Sequence, residues 1–331
     1  MNCLFRKMIW LWIILGIFGI ALITGICFLT WGFRISCVRS KKMGTSVLKK
    51  SVGESLESFR AQIRESIDWV RNAPSVRVSI DSYDGLRLSA RYFETKDSPL
   101  TMILFHGFRS AGEKDFGLSV KFYTEAGFSV LLVDERAHGE SEGKYITYGV
   151  RERMDCVSWA NYAAGTLGAK KIILGGMSMG STVVQMATEL DLPPEVIGVV
   201  ADCGFTSPAD IVSKVMGDMG VSAKLVLPIL NSCFRAFAGF DVHACSTVEA
   251  LSKNERIPVL FIHGRDDGFV PCEMSERGYA ACRAPKEIVI VDGADHGLSY
   301  LTDKERVTRE LFNFIYNCLD ASSKEEEDVR S

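Results

Sequence analysis

Ser178 stands at the centre of Gly176-Met177-Ser178-Met179-Gly180, directly behind the apolar run 171–175 and ahead of a helix-like stretch. A G-x-S-x-G pentapeptide between a strand and a helix is the setting in which a serine is presented on a sharp turn as a nucleophile. It therefore calls for a parallel sheet with helices packed on it, and for partner residues at neighbouring strand ends. The same pentapeptide occurs a second time, as Gly139-Glu140-Ser141-Glu142-Gly143. Ser141 follows the polar segment Asp134-Glu135-Arg136-Ala137-His138, and no apolar helix comes directly after it. The two flanking carboxylates would also oppose an alkoxide or oxyanion beside them. Ser141 is read as a loop residue and Ser178 as the nucleophile.

The remaining composition narrows the class. A chain of 331 residues, 47% hydrophobic and 24% charged, is ordinary for one large globular domain or two. A net charge of −3 leaves no electrostatic footprint for nucleic acid. The ten cysteines include no CxxC pair, so they read as neither a disulfide framework nor a zinc site. Reduced thiols are expected, and no metal or cofactor.

Residues 8–33 carry no charge. A helix over them reaches about 39 Å at 1.5 Å per residue, enough to cross a hydrocarbon core with some tilt. Trp10, Trp12 and Trp31 fall near its ends, where interfacial aromatics belong. The pattern predicts a transmembrane helix over 8–33 behind a short tail, 1–7. The rival is a cleaved signal peptide, whose apolar region is shorter and ends in an A-x-A-like site; Gly25-Ile26-Cys27 does not supply one. Arg34, Arg39, Lys41, Lys42, Lys49 and Lys50 follow with no acid before Glu54. The positive-inside rule then puts the C-terminal part in the cytoplasm, with the basic stretch against anionic headgroups.

A basic linker and an amphipathic helix make up 34–73: Leu56, Phe59, Ile63, Ile67 and Val70 recur at helical spacing, and Pro74 ends the run. The main domain spans 74–319. Runs at 76–80 and 86–91 flank the hairpin signal Tyr83-Asp84-Gly85. Buried strands are expected at 101–105, 130–133, 171–174, 197–201, 259–262 and 288–291, with helices near 115–126, 150–165, 179–189, 273–283 and 304–318. This alternation predicts a mostly parallel sheet of about eight strands, covered by helices on both faces. Residues 205–256 exceed one crossover and form an apolar, helical insertion read as a small cap. The end of the chain, 320–331, holds Lys324-Glu325-Glu326-Glu327-Asp328 and reads as a disordered tail.

A serine hydroxyl needs a base, and the base needs a third group to orient it. Of five histidines, only His296 lies beyond the last strand, in Asp295-His296-Gly297. Asp267 lies beyond the preceding strand, in His263-Gly264-Arg265-Asp266-Asp267-Gly268-Phe269-Val270-Pro271. Ser178, Asp267 and His296 thus follow strand ends in the order Ser, Asp, His. Asp266 and Asp202 are rival acids. An oxyanion hole needs two N–H donors. The backbone of Met179 supplies one and that of Phe108, in His106-Gly107-Phe108 after the 101–105 run, the other; His106 is structural.

Taken together, these segments resemble the α/β-hydrolase superfamily, and most closely its serine aminopeptidase-like and lysophospholipase-like branch, including membrane-anchored bacterial members. The resemblance covers about 75–318. In that family the acid is the last Asp of H-G-x-x-D-x-x-V-P, which favours Asp267 over Asp266. The usual R-G-H-G is here Arg136-Ala137-His138-Gly139. The resemblance implies a serine hydrolase acting on acyl esters, with a small-molecule or lipid acyl substrate. A serine peptidase is the alternative; it would need an acid for the substrate amine, with Asp210, Asp218, Asp241 and Glu249 available in the insertion. A non-catalytic binding module is the remaining rival, and such modules usually lose a member of the triad.

Overall fold

The computed structural model describes residues 3–40 and 57–330. Eight strands form one sheet: β1 (Val76–Asp81), β2 (Arg87–Phe93), β3 (Thr101–Phe105), β4 (Ser129–Asp134), β5 (Ile172–Met177), β6 (Val196–Asp202), β7 (Val259–Gly264) and β8 (Lys286–Val291). Their order is β1-β2-β4-β3-β5-β6-β7-β8. The pairs β1/β2 and β2/β4 are antiparallel, and every pair from β4/β3 to β7/β8 is parallel. Every residue of β3 and β7 is buried, as expected for strands covered on both faces.

The helices in chain order are α1 (Cys3–Cys37), α2 (Arg60–Asn72), α3 (Gly112–Asp115), α4 (Gly117–Glu125), α5 (Glu152–Gly165), α6 (Met179–Ala187), α7 (Pro208–Asp218), α8 (Ala223–Cys233), α9 (Thr247–Lys253), α10 (Glu273–Ala281), α11 (Ser299–Thr302) and α12 (Lys304–Arg330). On one face of the sheet Trp159 of α5, Val183 and Val184 of α6 and Leu251 of α9 pack on Ile103, Leu131 and Phe261. On the other, Val70 of α2, Val120 of α4 and Leu311, Phe314 and Ile315 of α12 pack on Met102, Leu104 and Leu260. A third cluster joins α7, α8 and the π-helical turn Phe234–Ala238 to Met179, Phe205 and Val270 at the strand ends. The start of α7 is fixed locally: the Ser207 hydroxyl accepts the Asp210 N–H at 3.0 Å, and Pro208 opens the first turn.

Three segments differ from the sequence reading. The cap does not fill 205–256, because α9 packs against α6 and α10 with Ala250 and Leu251 fully buried, so 247–253 belongs to the sheet's helical layer. The disordered tail over 320–331 is instead helical to Arg330. That helix is nucleated and docked upstream, and extending a formed helix through good helix formers is far cheaper than starting one. Finally, the first residues of the basic linker are part of the domain. Cys37 is completely buried, Val38 bridges Tyr145, and the Arg39 guanidinium donates to the carbonyls of Ser141 (2.6 Å) and Gly139 (2.7 Å). Lys41, Lys42, Lys49, Lys50, Glu54 and Leu56 lie outside the described residues. Helix α1 is long and apolar enough to cross a membrane.

Candidate active site

The turn between β5 and α6 explains its own sequence. Ser178 has φ 56° and ψ −114°, a strained conformation for a residue with a side chain, and its N–H is tied to the Asp202 carbonyl of β6 at 2.9 Å. A Cβ on Gly176 would lie 2.2 Å from the Gly180 carbonyl oxygen, and one on Gly180 would lie 1.9 Å from that of Phe105. Only glycine at both positions lets β5, α6 and β3 approach closely enough to raise Ser178 above the sheet.

Loops after β7 and β8 bring two further side chains to that serine. His296 Nε2 lies 3.0 Å from Ser178 Oγ, and His296 Nδ1 lies 2.7 Å from Asp267 Oδ2. Asp267 Oδ1 accepts the N–H groups of Phe269 (2.9 Å) and Val270 (2.8 Å), while Oδ2 also meets His263 Nε2 at 3.1 Å. Burial alone would raise the Asp267 carboxyl, but the bonds from His263 and His296 outweigh it and hold the group well below the usual carboxylate range. Burial would likewise lower His296, yet its bond to Asp267 and that carboxylate's charge leave it raised. An anionic Asp267 fixes the proton on Nδ1 and leaves Nε2 free to accept from the serine hydroxyl.

Neither rival acid is bonded to His296, although Asp202 lines the cavity at Ser178. Asp266 is exposed. Asp202 has a buried Oδ1 with no hydrogen-bond partner among the described residues, and burial pushes its carboxyl up to about 6. Ser141 is fully buried, donating to the Asp134 carbonyl at 2.5 Å and accepting the Ser89 N–H at 2.8 Å. His263 is a site residue the sequence reading passed over: Ser275 engages its Nδ1 at 2.6 Å, and the Val270 carbonyl accepts a hydrogen bond from its Nε2–H at 2.9 Å. The H-x-x-x-D spacing was the available signal.

The loop after β3 is held on both sides of Phe108. The Gly107 N–H donates to Asp115 Oδ2 (2.7 Å), whose Oδ1 accepts the Ser110 hydroxyl (2.5 Å), and the Arg109 N–H donates to His138 Nε2 (3.0 Å). Neither the Phe108 nor the Met179 N–H has an acceptor among the described residues. His106 is fully buried, with Nδ1 on the Gly107 carbonyl (2.9 Å) and Nε2 accepting the Glu135 N–H (3.2 Å). His138 needs a tight turn beside it, and Ala137 adopts φ 61° there.

The same loop is clamped to the end of α1. The Phe108 ring stacks on Tyr148 with centroids 5.3 Å apart, and the Arg109 guanidinium lies over its ring at 5.2 Å. Tyr148 donates its hydroxyl to the Ser36 carbonyl at 2.7 Å, and Arg109 donates to those of Val38 (2.8 Å) and Arg34 (3.1 Å).

A cavity of about 220 Å³ opens at Ser178 and runs between the sheet and α4, α11 and α12, walled by Phe116, Phe122, Tyr300, Leu301 and Leu311, with Ile63 of α2 also lining it. Drug-sized pockets start near 300 Å³, whereas an apolar cavity of roughly 150 Å³ takes a benzene ring, so a short or medium apolar chain fits. Cys203 Sγ, an Asp267 oxygen and a His296 nitrogen lie within 4.8 Å of one another. Asp267 is already committed to both histidines, so this donor set is built for hydrogen bonding before metal ligation.

Residues 101–221 match the model of the alpha/beta hydrolase fold. The chain is 24% identical over 287 residues to the uncharacterized protein YqkD of Bacillus subtilis, covering 85% of this chain and 90% of that one. It is 24% identical over 275 residues to the bifunctional esterase/perhydrolase DCH of Acinetobacter calcoaceticus, covering 71% and 98%. Among solved structures, an esterase of Pyrococcus furiosus aligns with TM-score 0.59 and 24% identity over 75% of this chain and 91% of its own. With the sheet order and the turn at Ser178, these likenesses show that the chain has the α/β-hydrolase fold, with residues 101–221 matching the model of that fold.

Proposed function

We propose that the protein is a membrane-anchored serine hydrolase that cleaves acyl esters. His296 Nε2 takes the Ser178 proton as Oγ attacks the acyl carbonyl carbon. The Phe108 and Met179 N–H groups hold the oxyanion, and Asp267 stabilises the imidazolium. The tetrahedral intermediate collapses, His296 returns the proton to the leaving alkoxide, and water repeats the sequence on the acyl-enzyme. The observation that carries this reading is the continuous 3.0 Å and 2.7 Å link from Ser178 Oγ through His296 to a buried, charged Asp267. A complete link of this kind also argues against a non-catalytic binding module.

Ester substrates are favoured over peptides for a specific reason. The four acids that the insertion offers for a substrate amine are engaged elsewhere: Asp210 by Thr206, Asp218 by Lys214, Asp241 by Asn231 and Glu249 by Lys253. None of them lines the cavity at Ser178. Helix α1 serves as the anchor in this reading, because its last turn is packed into the domain and is not separable from it. The basic residues beyond it favour a cytoplasmic domain.

The test is fluorophosphonate labelling of the full-length protein in detergent, beside Ser178→Ala, followed by esters, thioesters and aminoacyl amides. Labelling confined to the wild type, with ester turnover exceeding amide turnover, is the expected result. Absence of labelling in folded protein overturns the nucleophile, and faster aminoacyl-amide cleavage overturns the ester.

A further inference from the structure

The cap has one face that nothing among the described residues covers. Leu227, Leu230 and Phe234 point into its core, while Leu225, Ile229 and Phe237 are 71%, 51% and 67% exposed. Leu225 and Ile229 are four residues apart and share a helix face. Met219, at the end of α7, is 41% exposed. Outside α1, the other large apolar side chains exposed among the described residues are Val76, Tyr83 and Tyr316, each isolated in sequence. Apolar side chains gathered on one short stretch mark an interaction surface in a way that scattered ones do not.

The position of this face identifies its partner. Helix α8 touches α1 directly, and the Phe237 ring meets Phe33 edge-on at 5.9 Å. Phe33 lies two residues beyond Trp31, about 3 Å along the helix axis. Phe237 therefore sits at the depth where α1 leaves the hydrocarbon, marked by Trp31. Lys224 and Arg235 are exposed beside the apolar residues, as on helices that lie in a headgroup layer. The inner side of the same cap packs on Met179, Phe108 and Phe269, which surround Ser178.

We infer that the face formed by Leu225, Ile229 and Phe237 docks into the interfacial layer of the bilayer that α1 crosses, holding the Ser178 cavity against the lipid so that the enzyme draws acyl substrates resident in the membrane. This rests on reading α1 as a span and Ser178 as the nucleophile, and the experiment separates the three. The full-length protein is placed in phosphatidylcholine/phosphatidylglycerol vesicles containing a diazirine-bearing phosphatidylcholine, irradiated and digested. Lipid adducts are expected in the α1 peptides and in the peptide covering 219–238. Adducts in α1 alone overturn the docking, and their absence from α1 overturns the span and the docking with it.

A triple variant, Leu225→Ser with Ile229→Ser and Phe237→Ser, provides the kinetic arm. It should hydrolyse a water-soluble butyrate ester within two-fold of wild type and a vesicle-borne long-chain monoacylglycerol at least ten-fold more slowly. Equal change on both substrates, or none on either, overturns the proposal. So does a wild type that is dimeric in nanodiscs where the variant is monomeric, which would make the face a contact between copies. A wild type inactive on both esters removes the esterase reading, while the adducts at 219–238 still report docking.

Discussion

Two serines in this chain sit in the same pentapeptide and meet opposite physics. Ser178 is on a turn with φ 56°, with His296 3.0 Å from its oxygen. Ser141 spends its hydroxyl on the Asp134 carbonyl and the Ser89 N–H, tying the loop after β4 to the edge of β2. In the first case glycine is needed because backbone from three elements converges within 2.2 Å of where a Cβ would be. In the second, Gly139 and Gly143 serve loop turns at φ 47° and 112°. A nucleophile is thus made by the strand and helix on either side and by the base that faces it; the letters alone make a staple equally well.

The sharpest way to break this contrast is to remove each hydroxyl. Ser178→Ala should abolish fluorophosphonate labelling and lower kcat by about 10⁶-fold, read by single-turnover ester hydrolysis. Retained labelling would mean that another serine is the nucleophile. Next in size is Asp267→Asn, expected to cost about 10⁴-fold in kcat. The base works as neutral imidazole, so activity falls as pH drops through the raised His296 value. Without the carboxylate that raises it, the acidic limb of kcat/KM should move to lower pH; an unmoved limb would assign it to another group.

Tyr148→Phe keeps the ring stacked on Phe108 and deletes the bond to Ser36. It should lower kcat with KM unchanged, by less than the roughly 10²-fold lost with a whole oxyanion donor. A rise in KM alone would place Tyr148 in ground-state binding. The smallest effect belongs to Ser141→Ala, which leaves Ser89 N–H buried and unpaired. About 1–3 kcal/mol of stability should be lost in urea unfolding, with labelling per folded molecule unchanged.

The centre of the sheet was readable because β3 to β7 are short apolar runs buried on both faces, whereas β1 and β2 were legible from the hairpin signal between them and β8 from a partly buried apolar run. Ser178, Asp267 and His296 were readable from their order and their places after β5, β7 and β8, and the structure brings those three together. Asp115 was not: it reaches Gly107 from a single turn of helix, a contact with no period to announce it. The extent of the cap was misjudged because apolar helical spacing looks the same in α8, which has an open face, and in α9, which is packed on the sheet. The end of α1 was missed for a related reason. Its contacts reach residues 109 and 139–148, far along the chain, and composition marks it only as the edge of an apolar segment.

That junction has a consequence for how the chain holds together. Residues 33–39 contribute a buried cysteine, a bridge to Tyr145 and a row of carbonyls that Arg109 and Tyr148 grip. If the chain were nicked between Ser40 and Glu57, the two pieces would stay associated, the short one acting as a tightly held ligand of the long one. Removing the short piece would then have the thermodynamics of ligand loss, with a concentration dependence that adding the peptide back could reverse.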